Sequence, residues 1–278
     1  MRTAVIGHVE WVQFARVDDV PEPGSIIHAS RWWEEPAGGG PGAAVQLMKL
    51  AGECTLYTAL GDDDVGWRCA DELRAMGLGV QVAWRSVPSR RAFTHISPDG
   101  ERTITVLGDR LAPTAADALE WEALAEMDAV FFTAGNVDAL RLGRAAPVLV
   151  ATSRVKDVLR LSRIQLDGLV GSTNDPSERY REGDLDPAPR VVVATEGPAG
   201  GTVTVAGQPR RRFAAPELPG PVVDNYGAGD SFAGGFTYGL GAGYSPDDAV
   251  RIASLCGAAA VTGNGPYETQ LTSKTLQL

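Results

Sequence analysis

The sequence predicts an α/β fold with a mainly parallel central sheet, on three observations. Short apolar runs rich in Val, Ile, Leu and Phe alternate along the chain with segments of helical period, which is typical of βαβ units. The composition is that of a globular protein, with 44% hydrophobic and 22% charged residues. The length of 278 residues suits one large sheet with a small appendage.

Six short apolar runs are predicted as strands because each is bounded by Gly, Asp or Ser. They lie at 4–7, 55–59, 129–133, 148–151, 168–171 and 191–195. Helices are predicted at 64–76, at 114–127, where Thr114 is followed by Asp117 three residues on, and at 245–262. The last begins with Ser245 as its cap and Pro246 at the first helical position.

Two segments, at about 10–36 and 85–107, break this alternation. Both have the alternating aromatic and β-branched pattern of hairpins, with turn residues at 21–24 and 97–100. Since both leave the core and return to it, we expect them to pair as one small sheet that acts as a lid, with edge strands of the main sheet as the alternative. No linker divides the chain, so residues 1–278 are predicted to form a single domain.

Charge and cysteine content exclude several classes of protein. The formal net charge is −10, and no basic block offsets it beyond the short run at 210–212, which argues against binding to nucleic acid or anionic membranes. Three widely separated cysteines suggest neither a disulfide framework nor a thiolate metal site. No apolar stretch approaches the length that spans a bilayer, so we expect a cytoplasmic protein.

A loop of small residues at 227–229 leads into a helical pattern and is followed by one carboxylate, Asp230. Unpaired N–H groups at a helix N-terminus carry partial positive charge, so Gly227, Ala228 and Gly229 are predicted to bind an anion. A carboxylate next to a bound anion is electrostatically unfavourable unless it accepts a proton. A general base does so when a hydroxyl attacks phosphorus. The structural alternative is a turn in which Asp230 caps the helix.

Other motifs explain this loop less well. The chain has neither the Gly-Lys-Ser/Thr of a P-loop nor a Gly-rich dinucleotide turn after its first strand. Residues 229–233 lack the final Gly of a nucleophile elbow, and no His follows Ser231 as the hydrolase order requires. Phosphoryl transfer is the chemistry that the loop favours.

Residues 224–235, Asp-Asn-Tyr-Gly-Ala-Gly-Asp-Ser-Phe-Ala-Gly-Gly, resemble the C-terminal signature of the PfkB/ribokinase family of carbohydrate kinases. The glycine-rich run 38–42 resembles the N-terminal signature of the family, and 61–66 resembles its Gly-x-Asp-x-x-Gly element. All three occur in the family's order, so the resemblance spans nearly the whole chain. It implies a ribokinase-like three-layer αβα sandwich with a mainly parallel central sheet and a small β lid.

The resemblance also implies an ATP-dependent kinase that transfers the γ-phosphoryl group to a hydroxyl of a small sugar or sugar-like acceptor. Asp230 is then the general base, and Gly227, Ala228 and Gly229 form the anion hole. A nucleoside kinase is one alternative. A regulatory protein that binds a nucleotide or sugar with weakened catalysis is another.

Two segments of the chain resemble the family's nucleotide and magnesium elements. In the turn 195–201, Thr195, Gly197 and Gly200 are predicted to contact ATP, with a plain hairpin turn as the alternative. Asn174 and Glu178 fall where the family has Asn-x-x-Glu, which organises Mg²⁺ and its waters, but their spacing is one residue longer. The sequence leaves open whether Glu178 or Asp175 serves the magnesium site. A solvated helix start capped by Asn174 is the structural alternative.

Asp224 corresponds to a carboxylate that in many family members holds a monovalent cation such as K⁺, together with backbone carbonyls near 260, 263 and 265. The sequence leaves open whether this chain binds the ion, because carbonyl ligands have no side-chain signature. A loop aspartate that accepts hydrogen bonds from backbone donors is an equally good account.

The predicted acceptor site departs from the family pattern. His8 and Glu10 stand where the family often has Asn and Asp, although Glu10 can still accept two hydrogen bonds from hydroxyl groups. The site is completed by the glycines of the N-terminal signature, Gly38, Gly39 and Gly40. Arg110 and other arginines of the second lid segment favour an anionic acceptor, with exposed strand charges as the alternative. The resemblance further implies a homodimer through the lid, whose edges are otherwise unpaired.

Overall fold

Two β-sheets and six α-helices make up residues 1–276, the part of the chain that the computed structural model describes. The strands are β1 (Arg2–Ile6), β2 (Glu10–Arg16), β3 (Arg31–Ala37), β4 (Glu53–Gly61), β5 (Gly79–Arg85), β6 (Arg91–Ile96), β7 (Arg102–Leu107), β8 (Ala129–Phe132), β9 (Val148–Thr152), β10 (Gly168–Ser172), β11 (Val191–Thr195), β12 (Gly201–Val205) and β13 (Arg211–Phe213). The helices are α1 (Gly39–Ala51), α2 (Asp64–Ala75), α3 (Val137–Gly143), α4 (Lys156–Ser162), α5 (Ala228–Gly241) and α6 (Pro246–Ala260).

The larger sheet has nine strands in the order β13-β12-β11-β10-β9-β8-β1-β4-β5. From β11 to β5 every neighbouring pair is parallel, whereas β12 is antiparallel to both of its neighbours, β11 and β13. The chain starts at β1, proceeds outward to β5, and then returns to build the other half from β8 onward. Ligands of such sheets bind in the crevice at the carboxyl ends of the strands, where the strand order reverses, which here lies between β1 and β8.

Helices cover both faces of this sheet, as side chains of β1 illustrate. Val5 packs in an apolar cluster with residues of α1, α2, α5 and α6, whereas Ala4 and Ile6 pack on the other face with α3, α4 and Trp121. Successive side chains of a strand point to opposite faces, so the central strands are buried on both sides. The predicted three-layer αβα sandwich is therefore confirmed, as are all six predicted strands.

Phe236 shows how closely α5 packs on the sheet. Its side chain is fully buried, and its Cε1 lies 2.6 Å from where a Cβ at Gly168 of β10 would stand. We expect Phe236→Ala to lower the free energy of unfolding by about 3–5 kcal/mol, because it leaves a cavity in the core. Urea denaturation checks this value. The control Leu161→Ala, at a side chain 64% exposed, should cost less than about 0.5 kcal/mol, and equal losses at the two positions would contradict the account.

The two segments that break the α/β alternation pair with each other in the second sheet, of order β3-β2-β6-β7. The hairpin turn between β6 and β7 falls at 97–100 as predicted, but the connection between β2 and β3 is a longer loop across 17–30. All of β7 is exposed, and Trp32 of β3 is 70% exposed. Closure of this sheet as a lid, the single-domain division of the chain and a homodimer through exposed edges stay predictions.

The predicted helix at 114–127 is wrong over most of its length, since only Trp121–Glu126 is helical and forms a 3₁₀-helix. The Asp117 carboxylate accepts a hydrogen bond from the Thr114 amide (2.7 Å) and binds Arg85 (2.6 Å), which folds 114–120 into turns. The helices at 64–76 and 245–262 are present, capped by Asp63 and Ser245. None of the helices within residues 1–276 is long and apolar enough to cross a membrane.

Candidate active site

The residues predicted for phosphoryl transfer meet at the crevice between β1 and β8. The N-terminus of α5 carries Asp230, and the glycine-rich N-terminus of α1 lies against it. A Cβ at Gly42 would stand 2.8 Å from the Cβ of Asp230, and one at Gly39 would stand 3.4 Å from Asp230 Oδ1 and 2.9 Å from the hydroxyl of Thr133. The two helix N-termini approach this closely because no side chain separates them.

Gln270 connects the two helices behind this contact. Its buried amide nitrogen donates to the carbonyl of Gly42 (2.8 Å) and to the hydroxyl of Ser231 (3.0 Å). Because Ser231 follows Asp230 directly, this bridge fixes the carboxylate relative to α1. Sequence reasoning missed Gln270, which lies far along the chain from both partners and belongs to no motif.

Three backbone N–H groups open onto the site at the start of α5. Gly227 precedes the helix in the left-handed region, with φ of 80°, and a Cβ there would also lie 2.7 Å from Pro266. The amides of Gly227, Ala228 and Gly229 have no hydrogen-bond acceptor within residues 1–276. Gly229 is exposed, and a Cβ at this position would meet nothing within 4 Å. The arrangement suits an anion.

The carboxyl group of Asp230 has a raised pKa. Burial raises the pKa of its carboxyl to about 6, although the nearby charges of Arg154 and then Arg102 act in the opposite direction. A carboxylate with this pKa is ionised near pH 7 and binds a proton more readily than an exposed one. Arg102 lies on β7 and donates to the carbonyl of Asn225 (2.8 Å), so the second sheet reaches the loop that carries Asp230.

We expect the activity to fall below about pH 6. A protonated Asp230 cannot accept a proton, and its raised pKa places this loss higher than the value near 4 of an ordinary aspartate. At pH 5 about one tenth of the molecules keep the carboxylate ionised. The measurement is kcat/KM against pH, which should show an acidic limb of unit slope with a midpoint near 6. A midpoint near 4 would contradict the assignment.

The predicted nucleotide-binding residues lie at the carboxyl ends of β10 and β11. Thr195 ends β11, and its hydroxyl donates to the carbonyl of Gly171 (3.4 Å). A Cβ at Gly197 would stand 3.7 Å from Nδ2 of Asn174, and Gly200 closes the turn by donating to the carbonyl of Gly197 (3.0 Å). These residues form the turn that connects β11 to β12, and Asn174 lies beside this turn. Contact with ATP stays a prediction.

Arg154 forms ion pairs with the two carboxylates that are predicted for the magnesium site. Its Nε donates to Glu178 Oε1 (2.8 Å), its Nη2 lies 3.3 Å from Asp175 Oδ2, and the amide of Ser172 donates to Glu178 Oε2 (2.9 Å). Asn174 caps no helix, because 173–178 form turns. Within residues 1–276 no three carboxylate, His or Cys side chains form a metal cage. Both candidate carboxylates, Asp175 and Glu178, are paired with Arg154, and a magnesium site at either of them stays a prediction.

Asp224 is fully buried beneath the loop that precedes α5. Its two carboxylate oxygens accept hydrogen bonds from the amides of Tyr226 (2.8 Å) and Gly265 (2.9 Å). Burial raises the pKa of Asp224, and these two hydrogen bonds act against that rise. The carboxylate ties together the two loops that the resemblance assigns to a monovalent cation, and binding of that ion stays a prediction.

The predicted acceptor side is formed by residues that follow β1 and β5. Glu10 opens β2, is 7% exposed, and lies with its Oε2 2.8 Å from the Nε of Arg90. Burial raises the pKa of Glu10, while Arg90 and then Arg110 lower it. His8 packs against the predicted glycines, with its Nε2 3.2 Å from the position of a Cβ at Gly38, and Gly40 donates to the carbonyl of His8.

Comparison with known proteins places the chain among kinases. Residues 2–159 and 136–273 match the profile described as pfkB family carbohydrate kinase. The acarbose 7(IV)-phosphotransferase of Actinoplanes sp. is 30% identical over 182 residues, which cover 65% of this chain and 52% of that protein. The chain thus spans about half the length of this relative. The aminoimidazole riboside kinase of Salmonella typhimurium is 26% identical over 301 residues, covering 92% of this chain and 91% of that protein.

Solved structures agree with the fold. A microbiome-derived acarbose kinase superposes with a TM-score of 0.85 at 22% identity, covering 99% of this chain and 97% of that one. The ribokinase of Arabidopsis thaliana, solved with ribose and ATP, superposes with a TM-score of 0.76 at 19% identity over 99% of this chain and 96% of that one. At these identities the likeness supports the fold alone.

Proposed function

Because the chain belongs to the pfkB family of carbohydrate kinases, we propose that this phosphotransferase transfers the γ-phosphoryl group of ATP to a hydroxyl of a small sugar or sugar-like acceptor. In this proposal Asp230 is the general base. One observation carries the proposal: a carboxyl group with a pKa of about 6, that of Asp230, lies next to three backbone N–H groups. These N–H groups have no hydrogen-bond acceptor within residues 1–276.

In the proposed reaction the acceptor hydroxyl oxygen attacks the γ-phosphorus. A P–O bond forms to the acceptor, the P–O bond to ADP breaks, and the hydroxyl proton passes to Asp230. The amides of Gly227, Ala228 and Gly229 donate to the oxygens of the transferred group as its charge is redistributed. Glu178 or Asp175 would hold a Mg²⁺ that accompanies the nucleotide, and the ion would supply positive charge to the phosphates.

Binding sites for the two substrates lie on opposite halves of the sheet in this proposal. Thr195, Gly197 and Gly200 follow β11 and face the nucleotide, whereas His8 and Glu10 follow β1 and face the acceptor. Four strand steps separate β11 from β1, or about 19 Å at 4.8 Å per step. Asp230 lies between them, at the end of the crevice where the phosphoryl group is transferred.

ADP release across a panel of sugars, nucleosides and their phosphates, each incubated with ATP and Mg²⁺, tests the proposal. We expect ADP in proportion to a phosphorylated acceptor, and no such product from Asp230→Asn. A ligand that raises the melting temperature without any ADP release would instead support a regulatory binding protein. If a nucleoside is the best acceptor, the proposed phosphoryl transfer is retained, and the acceptor is a nucleoside instead of a sugar.

A further inference from the structure

Three arginines surround the acceptor side of the crevice in a chain whose formal net charge is −10. Arg90 follows β5, Arg110 follows β7, and Arg154 follows β9. The pKa of His8 is lowered to about 3. Burial is the largest cause, and the positive charges of Arg110, Arg90 and Arg154 lower it further. A cleft of positive charge in an acidic protein attracts anions.

Two of these arginines keep free donors. Arg154 is paired with Glu178 and Asp175, but Arg110 has no carboxylate within 4.0 Å among residues 1–276 and donates to none of them. Arg90 lies beside Glu10, yet the contact lacks the geometry of a hydrogen bond, and its terminal nitrogens donate to no described residue. Arg110 is exposed, and partial desolvation, followed by repulsion from Arg90 and Arg154, lowers its pKa.

The backbone brings the segment that leads to Arg110 next to Arg90 at the base of the smaller sheet. A Cβ at Gly108 would stand 4.0 Å from the Cα of Arg90, so the segment that leaves β7 passes next to it. Ser89 is fixed by Asp63, which accepts from its amide (2.8 Å) and its hydroxyl (2.7 Å). The Gly-x-Asp-x-x-Gly element thus positions the residue that precedes Arg90.

His8 supplies a neutral group among these charges. Its side chain is 92% buried, and its Nδ1 has no hydrogen-bond partner within residues 1–276. A neutral imidazole nitrogen either donates to or accepts from a hydroxyl group. The same cleft therefore offers free guanidinium donors for an anion and one nitrogen for a hydroxyl.

We propose, on the basis of the proposed function, that the acceptor is a sugar that already carries one phosphate monoester, which Arg90 and Arg110 bind, while Asp230 activates a free hydroxyl of the same molecule. Guanidinium groups match phosphate oxygens with paired hydrogen bonds. We do not assign these two arginines to ATP, because the turn predicted to bind ATP follows β11, on the other half of the sheet. Arg154, beside Asp230, serves the transferred phosphoryl group.

The test compares matched pairs of acceptors, namely pentoses and hexoses, their monophosphates, and the corresponding sugar acids. We expect a monophosphate to exceed its free sugar in kcat/KM by about 100-fold or more. Arg110→Met should lower kcat/KM for that monophosphate by about 10- to 100-fold, through KM, without changing KM for ATP. Arg110→Lys should recover part of the loss. The control Arg91→Met, at the exposed position that follows Arg90 in the sequence, should match the wild type.

Several results would overturn the inference. These are a preference for a neutral sugar or nucleoside, a preference for sugar acids, a rise in KM for ATP in Arg110→Met, or a panel in which no sugar phosphate binds by calorimetry or turns over. The proposed function is judged separately. Turnover of a neutral acceptor that Asp230→Asn abolishes would keep the kinase assignment and remove the phosphorylated acceptor alone.

Discussion

Asp230→Asn lowers kcat by about 10²- to 10⁴-fold in our account, the usual contribution of a general base. The amide keeps the size of the side chain and cannot accept the proton of the attacking hydroxyl. Binding of ATP should change little, because Thr195, Gly197 and Gly200 lie at the ends of other strands. Single-turnover kinetics measure the loss directly, and calorimetry measures nucleotide affinity.

The matched control is Asp247→Asn, which changes a carboxylate in the first turn of α6. Among residues 1–276, Asp247 pairs only with Arg211 at the surface, so its loss should leave kcat unchanged. If Asp230→Asn and Asp247→Asn lose the same small amount of activity, Asp230 is not the base. An equal loss of ATP affinity and kcat in Asp230→Asn would make it a binding residue instead.

Gly42→Val should lower kcat by about 10²-fold while the chain still folds. Even a Cβ at this position lies 2.8 Å from the Cβ of Asp230 and 3.2 Å from its Oδ2, so valine must push the carboxylate out of place. A misplacement of about 1 Å at a reacting group costs on the order of 10²-fold. The acidic limb of the pH profile should move as well, because the burial that sets the pKa of Asp230 changes.

Ala51→Val is the control for valine in the same helix, since Ala51 ends α1 away from the site. It should leave kcat within about twofold of the wild type, since Ala51 is half-buried at the opposite end of the helix from Asp230. A normal kcat in Gly42→Val, with a normal melting temperature, would show that the contact of α1 with Asp230 does not position the base.

Much of the fold was predictable because it depends on local pattern. The six strands and the helix over 64–75 follow from apolar runs and caps, which act within a few residues. The failed helix at 114–127 has a non-local cause, since Arg85 binds Asp117 across 32 residues. Asn225 also makes a non-local contact, because its side chain donates to Glu101 in the turn between β6 and β7 (2.8 Å).

The site was predictable at the phosphoryl end and less so at the acceptor end. Gly227 to Asp230 are contiguous, so loop, helix start and carboxylate can be recognised together. Arg90, Arg154 and Gln270 belong to no motif and are brought together only by the sheet order and the chain's C-terminal segment. The ion pair of Glu10 with Arg90 also has no sequence signature, because 80 residues separate the two.

The central claim is that the γ-phosphoryl group moves from ATP to a hydroxyl of a small acceptor at Asp230. Phosphorus-31 NMR of the protein with ATP, Mg²⁺ and the best acceptor of the panel tests it most directly. We predict loss of the γ-phosphate signal with equal growth of a new phosphate monoester signal, absent with Asp230→Asn. Inorganic phosphate as the sole product, or an unchanged ATP spectrum with a bound acceptor, would contradict the claim.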